Sequence, residues 1–148
     1  ASFHALEIAH QLRDQACKGF YFRFVANALH EQAQVNRAKK AYTEAIDIYK
    51  KLTEKHPQTY EPWMAITLYN RGNVFFELNR LEEAKKDYAE AIDIYRELTE
   101  KNPKTYEPLL ADALNNHGTV LRNLNQLKEA EQKLADYQDK KISLCSVK

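Results

Sequence analysis

Glycine is nearly absent from this sequence, with three in 148 residues, and proline is scarce, with four. Turn-rich β architectures need both, so their scarcity points to long helices separated by few joints. Cysteine is limited to Cys17 and Cys145, far apart and outside any CxxC or Cys/His cluster. Neither a disulfide framework nor a zinc site is expected, and a reducing, cytoplasmic setting fits. No excess of charge exists in either direction: 22 Lys and Arg face 21 Asp and Glu, interspersed along the chain. A polyphosphate partner would need a concentrated basic patch, so nucleic acid is a poor fit. No apolar run approaches ~18 residues and no basic-then-apolar leader is present, so neither a membrane span nor a signal peptide is expected. The chain opens on Ala1 rather than Met, as expected of a processed chain or an excised segment. Its length suits a single domain that buries about 68–70% of its unfolded surface.

What is present is repetition. TEAIDIYKKLTEKHPQTYEP at 43–62 returns as AEAIDIYRELTEKNPKTYEP at 89–108, and residues 41–86 agree with 87–132 at 26 of 46 positions. Leu81, Ala84, Tyr88, Ala91, Tyr95 and Leu98 recur at spacings of three and four, which makes one apolar stripe along a helix, termed helix B. His56-Pro57 and Asn102-Pro103 end that helix, because proline removes a donor and drives the preceding residue out of the α region. Five residues on, Pro62 or Pro108 is expected to open helix A, since a first helical turn tolerates proline. Asn79 or Asn125 is then expected to turn the chain, asparagine being tolerant of the left-handed conformation. Gly72 and Gly118 lie inside helix A at a cost of about 1 kcal/mol each relative to alanine, which predicts close approach of two helix backbones there.

Sliding the register back by 46 places FYFRFVANALHEQ, residues 20–32, on helix A, with Ala26 for Gly72 and Ala38 for Ala84. Read alone, Phe20 to Val25 resembles a strand; the repeat register makes it helix. Residues 2–16 then form a leading helix and 127–142 the last helix B. The expectation is an all-α single domain of about seven helices: a leading helix in 1–17 and repeats at 18–63, 64–109 and 110–148.

Leu68, Gly72, Phe75, Ala84, Tyr88 and Ala91, with Phe22, Ala26, Leu29, Ala38, Tyr42 and Ala45 before them and Leu114, Gly118, Ala130 and Leu134 after, resemble the tetratricopeptide repeat. The likeness covers residues 18–137, and the 46-residue period resembles the long-repeat variants of kinesin light chains and bacterial repeat proteins. Arg71 and His117 depart from the family's usual leucine, while Val25 keeps the apolar choice; their charged heads are expected to reach the groove edge over packed stems, with a buried charge pair as the less favoured alternative. The resemblance implies a right-handed α-α superhelix with helices A on its concave wall, acting as a non-catalytic protein–protein interaction module.

No GxSxG, phosphate loop or HExxH occurs, so no catalytic residue or cofactor is assigned. No metal site is assigned either, since His4 and His10 are six apart, off the spacing of a helical ligand pair. The inner-wall positions implied by the resemblance instead suggest a peptide groove. The first repeat would contribute Arg23, Phe24, Asn27 and His30, and the second Tyr69, Asn70, Asn73 and Phe76, with Glu77 also on the wall. The third would contribute Asn115, Asn116, Thr119 and Arg122. Asparagine amides suit the backbone of an extended peptide, and the aromatics offer apolar pockets. Two alternatives attach to these residues: the asparagines bond neighbouring helices, and residues 2–16 cover Phe20 and Phe24. Arg23, Asn27 and Asn70 match the carboxylate clamp of co-chaperone members, but Asp112 and Asn116 stand where its basic pair belongs, so a neutral or partly basic segment is the expected partner. Weak self-association through the open ends, or a role as an accessory or sensor domain of a larger protein, are the alternative readings.

Overall fold

A computed structural model describes residues 2–31 and 33–146, with the side chains of residues 2–10 and 12, His4 and His10 among them, outside that description. Five helices follow one another: α1 (Ser2–Glu31), α2 (Val35–Lys55), α3 (Pro57–Glu77), α4 (Leu81–Lys101) and α5 (Pro103–Ser146). Each packs on the next in the chain, and no strand occurs among the described residues. The all-α expectation holds, and no described helix is long and apolar enough to cross a membrane.

Five helices replace the expected seven for two local reasons. The prolines that stop helix B at positions 57 and 103 have Gln11 as their counterpart one repeat earlier, and Ala16 stands where Pro62 would be. With no breaker, residues 2–16 run directly into helix A as α1. At the other end Asn125 does not turn the chain, and α5 continues through it as a single helix. The turns expected elsewhere do form: Asn79 takes φ 58°, and Ala33, its equivalent one repeat earlier, takes φ 59°.

Helix A also starts earlier than expected. Pro57 is the first residue of α3 and Pro103 of α5, so Pro62 and Pro108 lie inside their helices. The joint shrinks to His56 or Asn102, whose N–H still caps the preceding helix by donating to Leu52 or Leu98. Since a first turn has no intrahelical acceptor for its N–H groups, the first proline of each pair already sits where its missing donor costs nothing.

The repeat stripe is the core. Ala38, Tyr42, Ala45, Tyr49 and Leu52 on α2, and Ala84, Tyr88, Ala91, Tyr95 and Leu98 on α4, are all buried. Leu68 of α3 packs with Ala91, Ile92 and Tyr95 of α4, while Phe75 packs with Leu81, Ala84 and Tyr88. Past Val120 no residue of α5 is buried.

The two helix A glycines part company. A Cβ on Gly72 would lie 2.7 Å from Cε1 of Tyr88, so the close approach is to a tyrosine ring rather than to another backbone. Gly118 has nothing within 4 Å of that position, and the close approach expected there is absent. Gly72→Ala is therefore expected to overpack the Tyr88 ring and lose about 1–3 kcal/mol. Gly118→Ala is expected to stabilise by about 0.5–1 kcal/mol through helix propensity alone. Urea unfolding of the two variants checks this, and a shared sign would contradict it.

Candidate functional site

Helix A residues three apart, at 70 and 73, sit one turn from each other on the same face, and the register repeats that arrangement every 46 residues. The structure turns the repetition into a ladder. The Tyr42 hydroxyl donates to Oδ1 of Asn27 at 2.5 Å, and Nδ2 of Asn70 donates to the same oxygen at 3.4 Å. One repeat later the Tyr88 hydroxyl donates to Oδ1 of Asn73 at 2.5 Å. Nδ2 of Asn116 donates to that oxygen at 3.2 Å and to the Tyr69 hydroxyl at 2.9 Å. Each rung thus ties a helix B tyrosine to its own helix A and to the next one.

Burial pushes the Tyr42 phenol up to about 12, against the pull of Arg23, and raises Tyr88 as well. These hydroxyls remain protonated donors, and the asparagine oxygens that receive them belong to the frame. Replacing Asn27 and Asn73 would strand two buried hydroxyls at about 1–3 kcal/mol each. Such variants report on folding as much as on any ligand.

The wall is not flat beside this ladder. A cavity of roughly 320 Å³ is lined by His30 of α1, Asn73, Phe76 and Glu77 of α3, Tyr88 of α4, and Asn116 and Thr119 of α5. Nε2 of His30 lies 2.7 Å from Oε1 of Glu77. Phe76 is 37% exposed, a large apolar face in a recess otherwise lined by side chains that carry polar groups. The recess therefore offers one acidic oxygen pair, one apolar face and an amide, a combination suited to a short cationic or amphipathic side chain with its backbone.

Of the twelve residues expected in the groove, His30, Asn73, Phe76, Asn116 and Thr119 line this cavity together. Tyr69 touches it through the bond from Asn116, while Asn27 and Asn70 belong to the first rung, one helical turn from His30 and Asn73. The other four lie outside its lining. The Arg23 guanidinium sits over the Trp63 ring at 4.6 Å from its centroid and over Phe20 at 5.8 Å, held by aromatic stacking. Phe24, Asn115 and Arg122 are exposed. Residues 2–16 continue the same helix rather than folding back as a separate one; Phe24 is 75% exposed, and Phe20 packs edge-on against Trp63 and Tyr49.

One lining residue and one pairing escaped the sequence. Tyr88 carries the stripe of helix B and reads as core, and only its partner Gly72, which admits the ring, signals that it reaches the groove. Glu77 has the wall register, but nothing in the sequence pairs it with His30, 47 residues away.

Arg71 corrects a different expectation. Rather than reaching the groove edge, its Nε and Nη2 donate to Oδ2 and Oδ1 of Asp87 at 2.7 and 2.9 Å, and Nη1 reaches Oγ1 of Thr43 at 3.3 Å. Burial opposes the charge, but the bonds and charge of Asp87 outweigh it and raise the guanidinium's proton affinity. The pair belongs to the middle repeat alone, since the third has His117 and Lys133 at these positions.

Among the described residues no group of three His, Cys, Asp or Glu is placed to hold a metal ion, and Cys17 and Cys145 are free and exposed. A family model described as tetratricopeptide repeat matches residues 24–97 and again 63–138. No curated protein sequence matches the chain.

Proposed function

Because the chain belongs to the tetratricopeptide-repeat family, whose repeats are generally protein–protein interaction modules, we propose that it captures a segment of another protein along the wall made by α1, α3 and α5. The observation that carries this reading is the recess where exposed Phe76 stands beside the His30–Glu77 pair. Glu77 is half exposed, so it can exchange His30 for a lysine or arginine of the ligand. Asn116 and Thr119 complete the recess from the next repeat and face the ligand backbone. On this reading the array is a long-repeat, right-handed solenoid in a reducing, cytoplasmic setting, and it works by holding rather than by catalysis.

The test is selection of binders from a random peptide library, followed by calorimetry on the winners. Peptides are expected to pair a basic residue with an apolar one. Glu77→Gln should then weaken them about 10-fold or more, as loss of a charge-assisted hydrogen bond does, and Phe76→Ala by a hot-spot margin of at least ~2 kcal/mol. Glu77 is half exposed, so Glu77→Gln should cost about 1 kcal/mol or less in stability, and binding to Phe76→Ala is read at a temperature where both proteins are folded. Affinities unchanged in both variants would place the binding face elsewhere.

A further inference from the structure

In the middle repeat α4 lies back along α3 and covers the face that carries Leu68, Gly72 and Phe75. That face recurs on α5 as Leu114, Gly118 and Leu121, and the chain also carries a second helix B stripe for it. Leu127, Ala130, Leu134, Tyr137 and Leu144 stand where Leu81, Ala84, Tyr88, Ala91 and Leu98 stand one repeat earlier. Because α5 runs straight through Asn125, these two complementary stripes lie end to end on one rod instead of face to face. Both stay open. Leu68 is fully buried, yet its counterpart Leu114 is 41% exposed; Tyr88 is 1% exposed, yet its counterpart Leu134 is 58% exposed.

The straight helix has a physical cause. Leu124-Asn125-Gln126-Leu127 repeats Leu78-Asn79-Arg80-Leu81, so the segment has turn chemistry available. What it lacks is the reward for turning. The Arg71–Asp87 ion pair that joins α3 to α4 becomes His117 and Lys133, two bases, and the Tyr88–Asn73 hydrogen bond becomes Leu134 and Thr119. Burial, joined by the charges of Lys85 and Arg96, already holds the His117 imidazole below the usual range. Continuing the helix instead keeps the backbone bonds through Asn125, whose Nδ2 reaches Oε1 of Glu129 at 3.5 Å.

We propose that a second copy of this chain covers the open face: two straight α5 helices pair antiparallel about a two-fold axis near Gln126, each burying the other's Leu114, Gly118 and Leu121 under residues 127–144. The register itself selects this occupant. Gly72 faces Tyr88 across a turn centred on Arg80, so a two-fold pair centred on the equivalent Gln126 sets Gly118 of each copy opposite Leu134 of the other. Such a contact is isologous and self-complementary, and it matches the stripes without a left-handed turn. Of the charges, Asp112 falls opposite Lys140 and Arg122 near Glu131; His117 still falls near Lys133, now of the other copy, so what the pairing gains over a hairpin is the uninterrupted helix through Asn125 rather than a better charge match. Within 127–146, Lys128, Lys133, Lys140 and Lys141 balance Glu129, Glu131, Asp136 and Asp139, so like copies do not repel.

The experiment uses the whole chain with Cys17→Ser and Cys145→Ser, carrying Asp112→Cys and Lys140→Cys, which the pairing sets opposite each other at its rim. Both positions are exposed, so the variant keeps the fold and both apolar stripes. A short bis-maleimide is expected to give a covalent dimer, and tagged mixed with untagged chain to give the hybrid. In sedimentation the unaltered chain should be a dimer, and Leu134→Glu should weaken it at least 10-fold with helix content unchanged. A crosslink within one chain would overturn the exchange in favour of a folded-back hairpin. A monomer with no crosslink would overturn any covering of this face by the chain itself. None of these readouts involves peptide binding, so the outcome is independent of the groove.

Discussion

Asp87→Ala is expected to lower the stability of this protein by about 3–5 kcal/mol, the largest effect of any single charge removal here. The Asp87 carboxylate is 3% exposed and takes two donors from Arg71, itself held between α2 and α4 with Thr43 as its third contact. Deleting the acid leaves a guanidinium that is 17% exposed with no carboxylate bonded to it, only the more distant charges of Glu90 and Asp47. Its desolvation penalty, several kcal/mol per ion, then goes largely unmatched, whereas the intact pair roughly cancels it. The control is the double replacement Arg71→Met with Asp87→Leu, which removes both charges and keeps the volume, and should fall within about 1 kcal/mol of the parent. Urea unfolding at neutral pH, read as the shift in midpoint at constant slope, separates the two. A loss under about 1 kcal/mol in Asp87→Ala would mean that water reaches Arg71 and that the pair is worth no more than a surface bridge.

Tyr88→Ala is expected to cost about 3–5 kcal/mol, and Tyr88→Phe only about 1 kcal/mol. The ring fills the space that Gly72 leaves and lies tilted against Tyr69 with centroids 5.8 Å apart, so most of its contribution is packing. Its hydroxyl donates to Asn73, whose oxygen keeps the amide of Asn116 when the hydroxyl is gone. Thermal melts of the two variants therefore apportion ring from hydroxyl. Equal losses would show that the ladder rather than the ring holds α4 to α3. The residue couples frame and site, because the same ring lines the recess beside Phe76. Truncating it should open that recess as well as weaken the core.

The parts of this architecture that could be read beforehand share a property. Helix B ends at Lys55 and Lys101 as expected, because the bond before a proline constrains its own neighbours and needs no distant partner. Asn79 turns the chain for the same kind of reason, and Ala38, Ala45, Ala84 and Ala91 could be placed in the core from period and size. The Arg71–Asp87 pair was hidden because two charged residues on separate helices announce nothing about their separation. Five of the twelve expected groove residues converge on one cavity, since register places a residue on a face but not at a depth along it. Arg23 has the wall register and stacks instead on Trp63, a ring that the other repeats do not supply.

By itself, then, the sequence determined the helical class, the 46-residue frame, the proline stops and the family, all of which follow from backbone sterics and apolar period. Only the tertiary structure decided how many helices those segments make. Asn79 reverses the chain and Asn125, in the same local sequence, does not. A turn with similar local cost at both places is taken where Arg71, Tyr88 and Gly72 reward the return of α4, and declined where His117, Leu134 and an open Gly118 do not.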